Sequence, residues 1–289
     1  MPLTQESAAR DIALPSGMHL RYYEAGQEHG AAGAPTVVML HGSGPGATGW
    51  SNFSGNIGVI AAAGFHVIAP DMPGWGDSDA QPTKDMDHDV TLVELLDAIG
   101  WAKAALVGNS MGAHTAVRFA TLHPERVTHL VTMGASLGRG TTLFGPGDGP
   151  SEGLKVLVRA YQDANPENMK ALVEIMTYDK ARFATAELTK ARSDAALARP
   201  DHLRNYVDGL AHGAPIPRKV DRDKIQGIQV PTLLIHGKDD RVLHYEITLW
   251  LLANIPNSRA VILNRCGHWA MIEHADEFNR LVIDFLTHN

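Results

Sequence analysis

The chain has 289 residues, 44% hydrophobic and 20% charged, a composition typical of a globular protein with a large core. A net charge of -7 without a basic run argues against nucleic acid as a partner. The single cysteine, Cys266, excludes an internal disulfide, and the start "MPLTQESAAR" has no apolar signal core. We therefore expect a cytoplasmic protein without membrane contact.

Short apolar runs alternate with helical patterns along most of the chain. The run "MHLRYYEAG" alternates between apolar and polar residues, as an edge strand does. The other strand-like runs are apolar on both faces, as buried parallel strands are: "PTVVML", "FHVIAP", "KAALVG", "RVTHLVTMG", "VPTLLIHG" and "SRAVIL". Helices are predicted at about 53–63, 88–99, 111–123, 246–254 and 273–287. This alternation predicts an α/β fold with a mostly parallel central sheet flanked by helices.

The alternation stops between about 136 and 226. A stretch rich in glycine and proline, "GRGTTLFGPGDGPSEG", is followed by helical segments such as "LKVLVRAYQDA" and "ENMKALVEIMTY". We expect residues 136–226 to form an inserted helical cap on a core made of residues 1–135 and 227–289. Such a cap would cover the carboxyl edge of the sheet, where open α/β sheets bind ligands.

The first strand-like run after the edge strand enters a glycine-rich loop, "VVMLHGSGPGATGW". Its G-x-G-x-x-A spacing fits a dinucleotide-binding turn, and Asp71 after "HVIAP" could then hold a ribose. The same loop could instead offer its amides to an oxyanion. The loop alone leaves both interpretations open.

The run "KAALVG" leads into Gly108-Asn109-Ser110-Met111-Gly112, a G-x-S-x-G pattern between a predicted strand and a predicted helix. A serine on such a tight turn is exposed to a substrate, and larger flanking residues would collide with nearby backbone. The N-terminus of the following helix favours negative charge that develops beside the serine. The pattern predicts Ser110 as a nucleophile.

A serine hydroxyl needs a base, and in this fold order an acid and then a histidine follow the serine. Asp239 and Asp240 come after the strand "PTLLIHG", and His268 comes after the strand "RAVIL". His268 would take the Ser110 proton, and one of the two aspartates would orient its ring.

This arrangement favours the oxyanion interpretation of the glycine-rich loop. Ser43 or Gly44 would donate a backbone N–H together with Met111. Pro45 has no N–H, which weakens a phosphate-binding loop. We therefore expect no cofactor. Asp71 belongs to "DMPGWGDS", which resembles a structural turn of α/β-hydrolases.

Several longer motifs are more specific: "LHGSGPGATGWSNF", "DMPGWGDSD", "GNSMGAH", "GKDDRV" and "CGHWAMIEHADEFNRLVIDFL". Through them the chain resembles, over essentially its whole length and least in the cap, the meta-cleavage-product hydrolases. These are carbon–carbon bond hydrolases of bacterial aromatic and steroid degradation. The resemblance places the acid three residues after Gly237, at Asp240. It also implies a homo-oligomer, between a dimer and an octamer.

The substrate that the resemblance implies is a 2-hydroxy-6-oxo-hexa-2,4-dienoate, cleaved to 2-hydroxypenta-2,4-dienoate and a carboxylic acid. Arg192 matches the arginine that holds the carboxylate end. Asn52 and Asn109 match amides that position the dienolate, and Trp269 matches an aromatic wall of the pocket. The resemblance leaves the substituent open among aryl, alkyl, carboxyalkyl and steroid-derived groups.

Two alternative functions use the same triad. A carboxylesterase or lactonase would not need Arg192, Asn52 and Asn109 together, and a ligand sensor of this fold would turn over slowly. We expect no metal site, because the fifteen histidines show no H-E-x-x-H or comparable spacing. His41 and His114 are interpreted as structural, and Cys266 as a packed thiol.

Overall fold

The computed structural model describes residues 3–30, 35–135, 150–213 and 218–289. These residues form one eight-stranded sheet in the order β1-β2-β4-β3-β5-β6-β7-β8. The strands are β1 Ala9–Ala13, β2 His19–Ala25, β3 Thr36–Leu40, β4 His66–Pro70, β5 Ala104–Asn109, β6 Val127–Met133, β7 Thr232–Gly237 and β8 Ser258–Leu263. The β1–β2 and β2–β4 pairs are antiparallel, and every later pair is parallel.

Helices cover both faces of this sheet. They are α1 Gln5–Ala8, α2 Gln27–Gly30, α3 Gly49–Phe53, α4 Ile57–Ala62, α5 His88–Ala98, α6 Met111–Leu122, α7 Glu152–Gln162, α8 Pro166–Met176, α9 Lys180–Phe183, α10 Ala186–Leu197, α11 Pro200–Ala211, α12 Glu246–Asn254, α13 Ala270–Glu273 and α14 Ala275–His288. Two 3₁₀ helices cover Pro124–Arg126 and Arg222–Gly227. In the described part of the chain, no helix is both long and apolar enough to cross a bilayer.

The central strands are buried on both faces, as their apolar runs predicted. Successive residues of β3 alternate between two core clusters: Val37 packs with α4 and α14, and Val38 packs with α5 and α6. A strand with both faces covered needs apolar side chains at odd and even positions alike. The predicted fold class is confirmed.

Three predicted elements differ in detail. "MHLRYYEAG" is β2, an inner strand, because β1 pairs outside it; the edge-strand prediction was wrong. The helix predicted at about 53–63 is shorter, because α4 begins only at Ile57 and α3 ends at Phe53. Between them, the Asn56 side chain donates to the Met271 carbonyl (3.1 Å) and the Asn279 amide oxygen (2.8 Å). The helix predicted at about 273–287 is α14, Ala275–His288, and the short helix α13, Ala270–Glu273, precedes it.

Helices α7 to α11 lie between β6 and β7, where the cap was predicted. Most of the glycine- and proline-rich start of that segment, residues 138–149, lies outside the described residues, and so do 214–217. The cap boundaries at 136 and 226 therefore stay a prediction. The functional loops follow the carboxyl ends of β3, β5, β7 and β8, and these parallel ends meet at one edge of the sheet.

Candidate active site

Ser110 occupies a strained turn between β5 and α6. Its φ of 54° and ψ of -113° lie in a region that non-glycine residues rarely adopt. A Cβ on Gly108 would lie 2.4 Å from backbone atoms of Gly112, and one on Gly112 would lie 2.1 Å from the Leu40 carbonyl oxygen. Both glycines are therefore required for β5, α6 and β3 to approach this closely. The turn places Ser110 on the wall of a cavity.

His268 and Asp240 form a buried pair at the same edge. Nδ1 of His268 lies 2.7 Å from Oδ2 of Asp240, and Oδ1 of Asp240 accepts the backbone N–H groups of Val242 (2.7 Å) and Leu243 (2.9 Å). Burial alone would raise the pKa of Asp240, but its histidine neighbours outweigh burial and hold that pKa well below its usual value. Asp240 is therefore a carboxylate that fixes the ring, and His268 lines the same cavity as Ser110.

The loop after β3 lies against the serine turn. The position of a Cβ on Gly42 would be 3.2 Å from Ser110 Cβ, and Ser43, Gly44 and Met111 line the cavity. The Ser43 carbonyl accepts a hydrogen bond from the Tyr161 hydroxyl of α7. Because the C=O of Ser43 and the N–H of Gly44 belong to one trans peptide and point in opposite directions, this bond orients the Gly44 N–H. The peptide between Ser43 and Gly44 is thus held in one orientation next to the cavity.

Two buried polar residues support this loop. His41 Nδ1 lies 2.8 Å from the Gly42 carbonyl oxygen, and its Nε2 accepts the Met72 N–H at 2.9 Å, which fixes a neutral tautomer. Burial lowers the pKa of His41 to about 4. Asp71 accepts the N–H of Gly49 at 2.7 Å and that of Asp77 at 3.1 Å. Asp71 thus joins two turns, and its hydrogen bonds are those of a structural residue.

Arg192, on α10, brings a buried cation to the cavity. Its side chain is 4% exposed, and its guanidinium carbon lies 4.4 Å from the centre of the Trp269 ring. Nη2 donates weakly to the Ser51 carbonyl oxygen at 3.4 Å, and Nε is buried with no hydrogen-bond partner among the described residues. Burial lowers the pKa of Arg192 to about 10, so the group remains charged at neutral pH. A buried cation of this kind attracts an anion.

The two predicted asparagines lie in the cavity wall, but their amide groups are partly engaged. Asn52 Nδ2 donates to the Thr48 carbonyl oxygen at 3.1 Å. Asn109 Nδ2 donates to the His268 carbonyl oxygen at 3.2 Å, and its Oδ1 is buried without a partner among the described residues. Asn109 therefore also supports the backbone of the histidine.

The cavity has a volume of about 100 Å³, and its remaining wall is mostly apolar. That wall consists of Ala47, Leu154, Leu157, Met176, Tyr206, Val242 and Leu243. Four of these side chains come from α7, α8 and α11, and the sequence alone did not single them out. In the described part of the chain, no three His, Cys, Asp or Glu side chains are placed to hold a metal ion.

Further residues around His268 were also missed by sequence reasoning. Glu273 accepts the N–H groups of Tyr178 (2.8 Å) and Gly267 (2.6 Å), and the His268 N–H donates to the Met176 carbonyl oxygen at 2.7 Å. These bonds join the histidine loop to the segment after α8. A motif search could not find the bonds to Tyr178 and Met176, because they connect residues about ninety positions apart.

Comparisons with known proteins agree with this architecture. A family model described as the α/β hydrolase fold matches residues 35–275. The chain is 42% identical over 294 residues to a 2-hydroxy-6-oxononadienedioate/2-hydroxy-6-oxononatrienedioate hydrolase from Pseudomonas putida, with 99% of each chain covered. An enzyme of the same name from Cupriavidus pinatubonensis is 46% identical over 261 residues, with 88% of each chain covered.

Solved structures give the same result. The meta-cleavage product hydrolase CumD from Pseudomonas fluorescens superposes with a TM-score of 0.82 at 29% identity, covering 96% of this chain and 97% of that one. The 2-hydroxy-6-oxo-6-phenylhexa-2,4-dienoate hydrolase from a Rhodococcus species gives 0.79 at 25% identity, covering 96% and 99%. The chain therefore belongs to the meta-cleavage product hydrolases, carbon–carbon bond hydrolases of the α/β-hydrolase fold.

Proposed function

We propose that this protein hydrolyses a 2-hydroxy-6-oxo-hexa-2,4-dienoate to 2-hydroxypenta-2,4-dienoate and a carboxylic acid. One observation carries the proposal at the level of the site: the buried guanidinium of Arg192 faces a cavity that also contains Ser110 and His268. A neutral ester would supply no anion to pair with that cation. The carboxylate of a dienoate would pair with it, which offsets the cost of its burial.

The first step turns the dienol into a ketone. The 2-hydroxyl loses its proton, and a proton is added next to the distal carbonyl, so the bond to be broken acquires a leaving group that can accept its electron pair. Arg192 holds the carboxylate and favours the delocalised anion. Asn52 and Asn109 line the region where the dienolate would lie. His268 is the base available in the cavity for these proton transfers.

The second step is addition to the distal carbonyl. His268 takes a proton while Ser110 Oγ, or a water that the pair activates, attacks the carbonyl carbon. The backbone N–H groups of Gly44 or Ser43 and of Met111 stabilise the oxyanion. The carbon–carbon bond then breaks, its electron pair passes into the dienolate, and a proton completes 2-hydroxypenta-2,4-dienoate. The acyl half takes up the elements of water and leaves as the carboxylic acid.

The acyl half would lie along the apolar wall formed by Leu154, Leu157 and Met176 from the proposed cap, residues 136–226, with Val242 beside them. The relatives' names specify dienedioates, which carry a second carboxylate. A substrate panel should therefore contain aryl, alkyl and carboxyalkyl dienoates.

A plain esterase is the competing function. The relative rates on dienoates and on a simple ester distinguish an esterase from a carbon–carbon bond hydrolase. Purified enzyme is assayed on the dienoate panel by loss of visible absorbance and on p-nitrophenyl acetate by release of nitrophenolate. We expect kcat/KM to be much larger for at least one dienoate than for the ester. A faster ester reaction, with no dienoate cleaved, would contradict the proposal.

We also propose that the enzyme is a cytoplasmic homo-oligomer. The single cysteine, Cys266, is buried, in keeping with a reducing compartment. Leu249 and Leu252 of α12 are 43% and 38% exposed next to the edge strand β8, and they offer an apolar surface for a second copy. Light scattering on the purified protein, with Leu249→Lys as the variant, tests this proposal; a monomer at micromolar concentration would contradict it.

A further inference from the structure

A second histidine shares the carboxylate of Asp240. His236 lies in β7, and its side chain is fully buried. Its Nε2 lies 3.0 Å from Oδ2 of Asp240 and 2.8 Å from the Leu243 carbonyl oxygen, and its Nδ1 lies 2.7 Å from the Thr248 hydroxyl. Both atoms facing Nε2 are acceptors, so Nε2 carries a hydrogen. In the neutral ring, Nδ1 then accepts the Thr248 O–H.

The carboxylate of Asp240 is consequently bonded on four sides. Oδ1 accepts the N–H groups of Val242 and Leu243, and Oδ2 accepts from both His236 and His268. Two donors on one oxygen share its charge, so each bond is weaker than it would be alone. The bond to the Leu243 carbonyl fixes a residue that lines the cavity.

We propose that His236 is a positioning residue that keeps the Asp240 carboxylate in place to accept a hydrogen bond from His268. It also limits how strongly that carboxylate stabilises the His268 cation. Without the His236 N–H, more of the charge on Oδ2 would act on His268. The inference rests on the proposed roles of Ser110, Asp240 and His268. It predicts that His236 sets the pH dependence of the reaction without touching substrate.

Other ionisable groups lie near His236 and Asp240, and they form the background against which a pH profile is measured. They are Asp239 beside Asp240, Cys266 and Glu273 in and after the histidine loop, and His244 and Glu246 before and at the start of α12. His244 and Glu246 lie 3.2 Å apart. The substitutions below leave all of these groups in place.

Two replacements of His236 separate its N–H from its bulk. His236→Gln keeps an N–H near the position of Nε2, whereas His236→Met fills similar space without a donor. With p-nitrophenyl acetate as the probe, the acidic limb of kcat/KM should move upward by about half a pH unit or more in His236→Met, because His268 then faces a less shared carboxylate. It should stay near the wild-type position in His236→Gln. Turnover should fall roughly tenfold in His236→Met, because a slightly misplaced carboxylate orients His268 less well.

Proton NMR gives a measurement that needs no turnover. The resonance of the His268 Nδ1–H should move further downfield in His236→Met than in His236→Gln. Equal acidic limbs in wild type and both variants would overturn the proposal, and so would equal shifts in both variants. Circular dichroism melts check that the variants fold. If Ser110→Ala still cleaves both the ester and a dienoate, the triad assignment fails, whatever His236 does.

Discussion

The guanidinium carbon of Arg192 lies 4.4 Å from the ring centre of Trp269, the residue that follows His268 in the chain. The cation of Arg192, in the proposed cap, thus stacks on the loop that carries His268. Arg192 and Trp269 both line the cavity that contains Ser110. A cation over an indole ring is stabilised by the negative face of the ring. The contact fixes the position of the Arg192 guanidinium relative to the loop that carries His268.

Arg192→Ala should lower kcat/KM for dienoates by roughly ten- to a hundredfold, because a charge-assisted contact is worth about 1.5–3 kcal/mol. Its effect on p-nitrophenyl acetate should be slight, since that ester has no carboxylate. Lys190→Ala, on the exposed face of the same helix, is the matched control and should change neither rate. Equal losses on both substrates would mean that Arg192 only supports the cap.

Ser110→Ala should abolish net cleavage while leaving dienoate binding largely intact, because we propose that Arg192, Asn52 and Asn109 hold the dienolate and its carboxylate. Binding is measured by the change in the dienoate spectrum on mixing, and cleavage by product formation. More than a tenth of the wild-type rate in the purified variant would exclude Ser110 as the central nucleophile or activator.

His268→Ala should slow both the loss of dienolate absorbance and the formation of product. An esterase histidine only activates serine, whereas this chemistry also requires proton transfer to make the ketone. Stopped-flow absorbance follows the first process, and quenched samples follow the second. Normal ketone formation with blocked cleavage would assign the first proton transfer to another group.

Buried histidines predict acid sensitivity of the fold. Burial lowers the pKa of His41 to about 4 and that of His88 to about 3, against about 6.5 in an unfolded chain. The unfolded chain therefore binds protons in this range that the folded chain does not. Their contribution to stability is fully present above pH 6.5 and is lost as the pH falls towards 4, by up to about 1.4 kcal/mol per pH unit for each histidine.

Urea unfolding between pH 7 and pH 4.5 measures this slope. His88→Gln should make the pH dependence of the free energy of unfolding shallower. The reduction should correspond to at most one bound proton, or about 1.4 kcal/mol per pH unit. His288→Gln, at an exposed position, is the matched control for the loss of an imidazole. An unchanged slope in His88→Gln would show that His88 is not a buried neutral group.

Sequence reasoning worked best where a local constraint fixes the residue type. The serine turn requires Gly108 and Gly112 because β5, α6 and β3 approach closely there, and this requirement is visible as a short motif. The order of Ser110, Asp240 and His268 follows from the strand order of the fold. The parallel strands were visible because strands covered on both faces must be apolar.

Features that depend on how the folded chain packs were not predictable. The edge strand β1 was missed because its residues "ARDIA" are mixed in polarity, as befits a strand paired on one side only. His236 continues an apolar run, and only the folded loop brings Asp240 back to its ring. The apolar wall from α7, α8 and α11 is likewise set by how those helices pack.

The most direct test of the central claim is the stoichiometry of the reaction with a 2-hydroxy-6-oxo-hexa-2,4-dienoate. Purified wild-type enzyme is mixed with the dienoate, and the two products are quantified by chromatography as the visible absorbance disappears. We expect one molecule of 2-hydroxypenta-2,4-dienoate and one of the carboxylic acid for each dienoate consumed, with both products absent in Ser110→Ala. Loss of absorbance without these products, or products at equal rates in Ser110→Ala, would contradict carbon–carbon hydrolysis at this site.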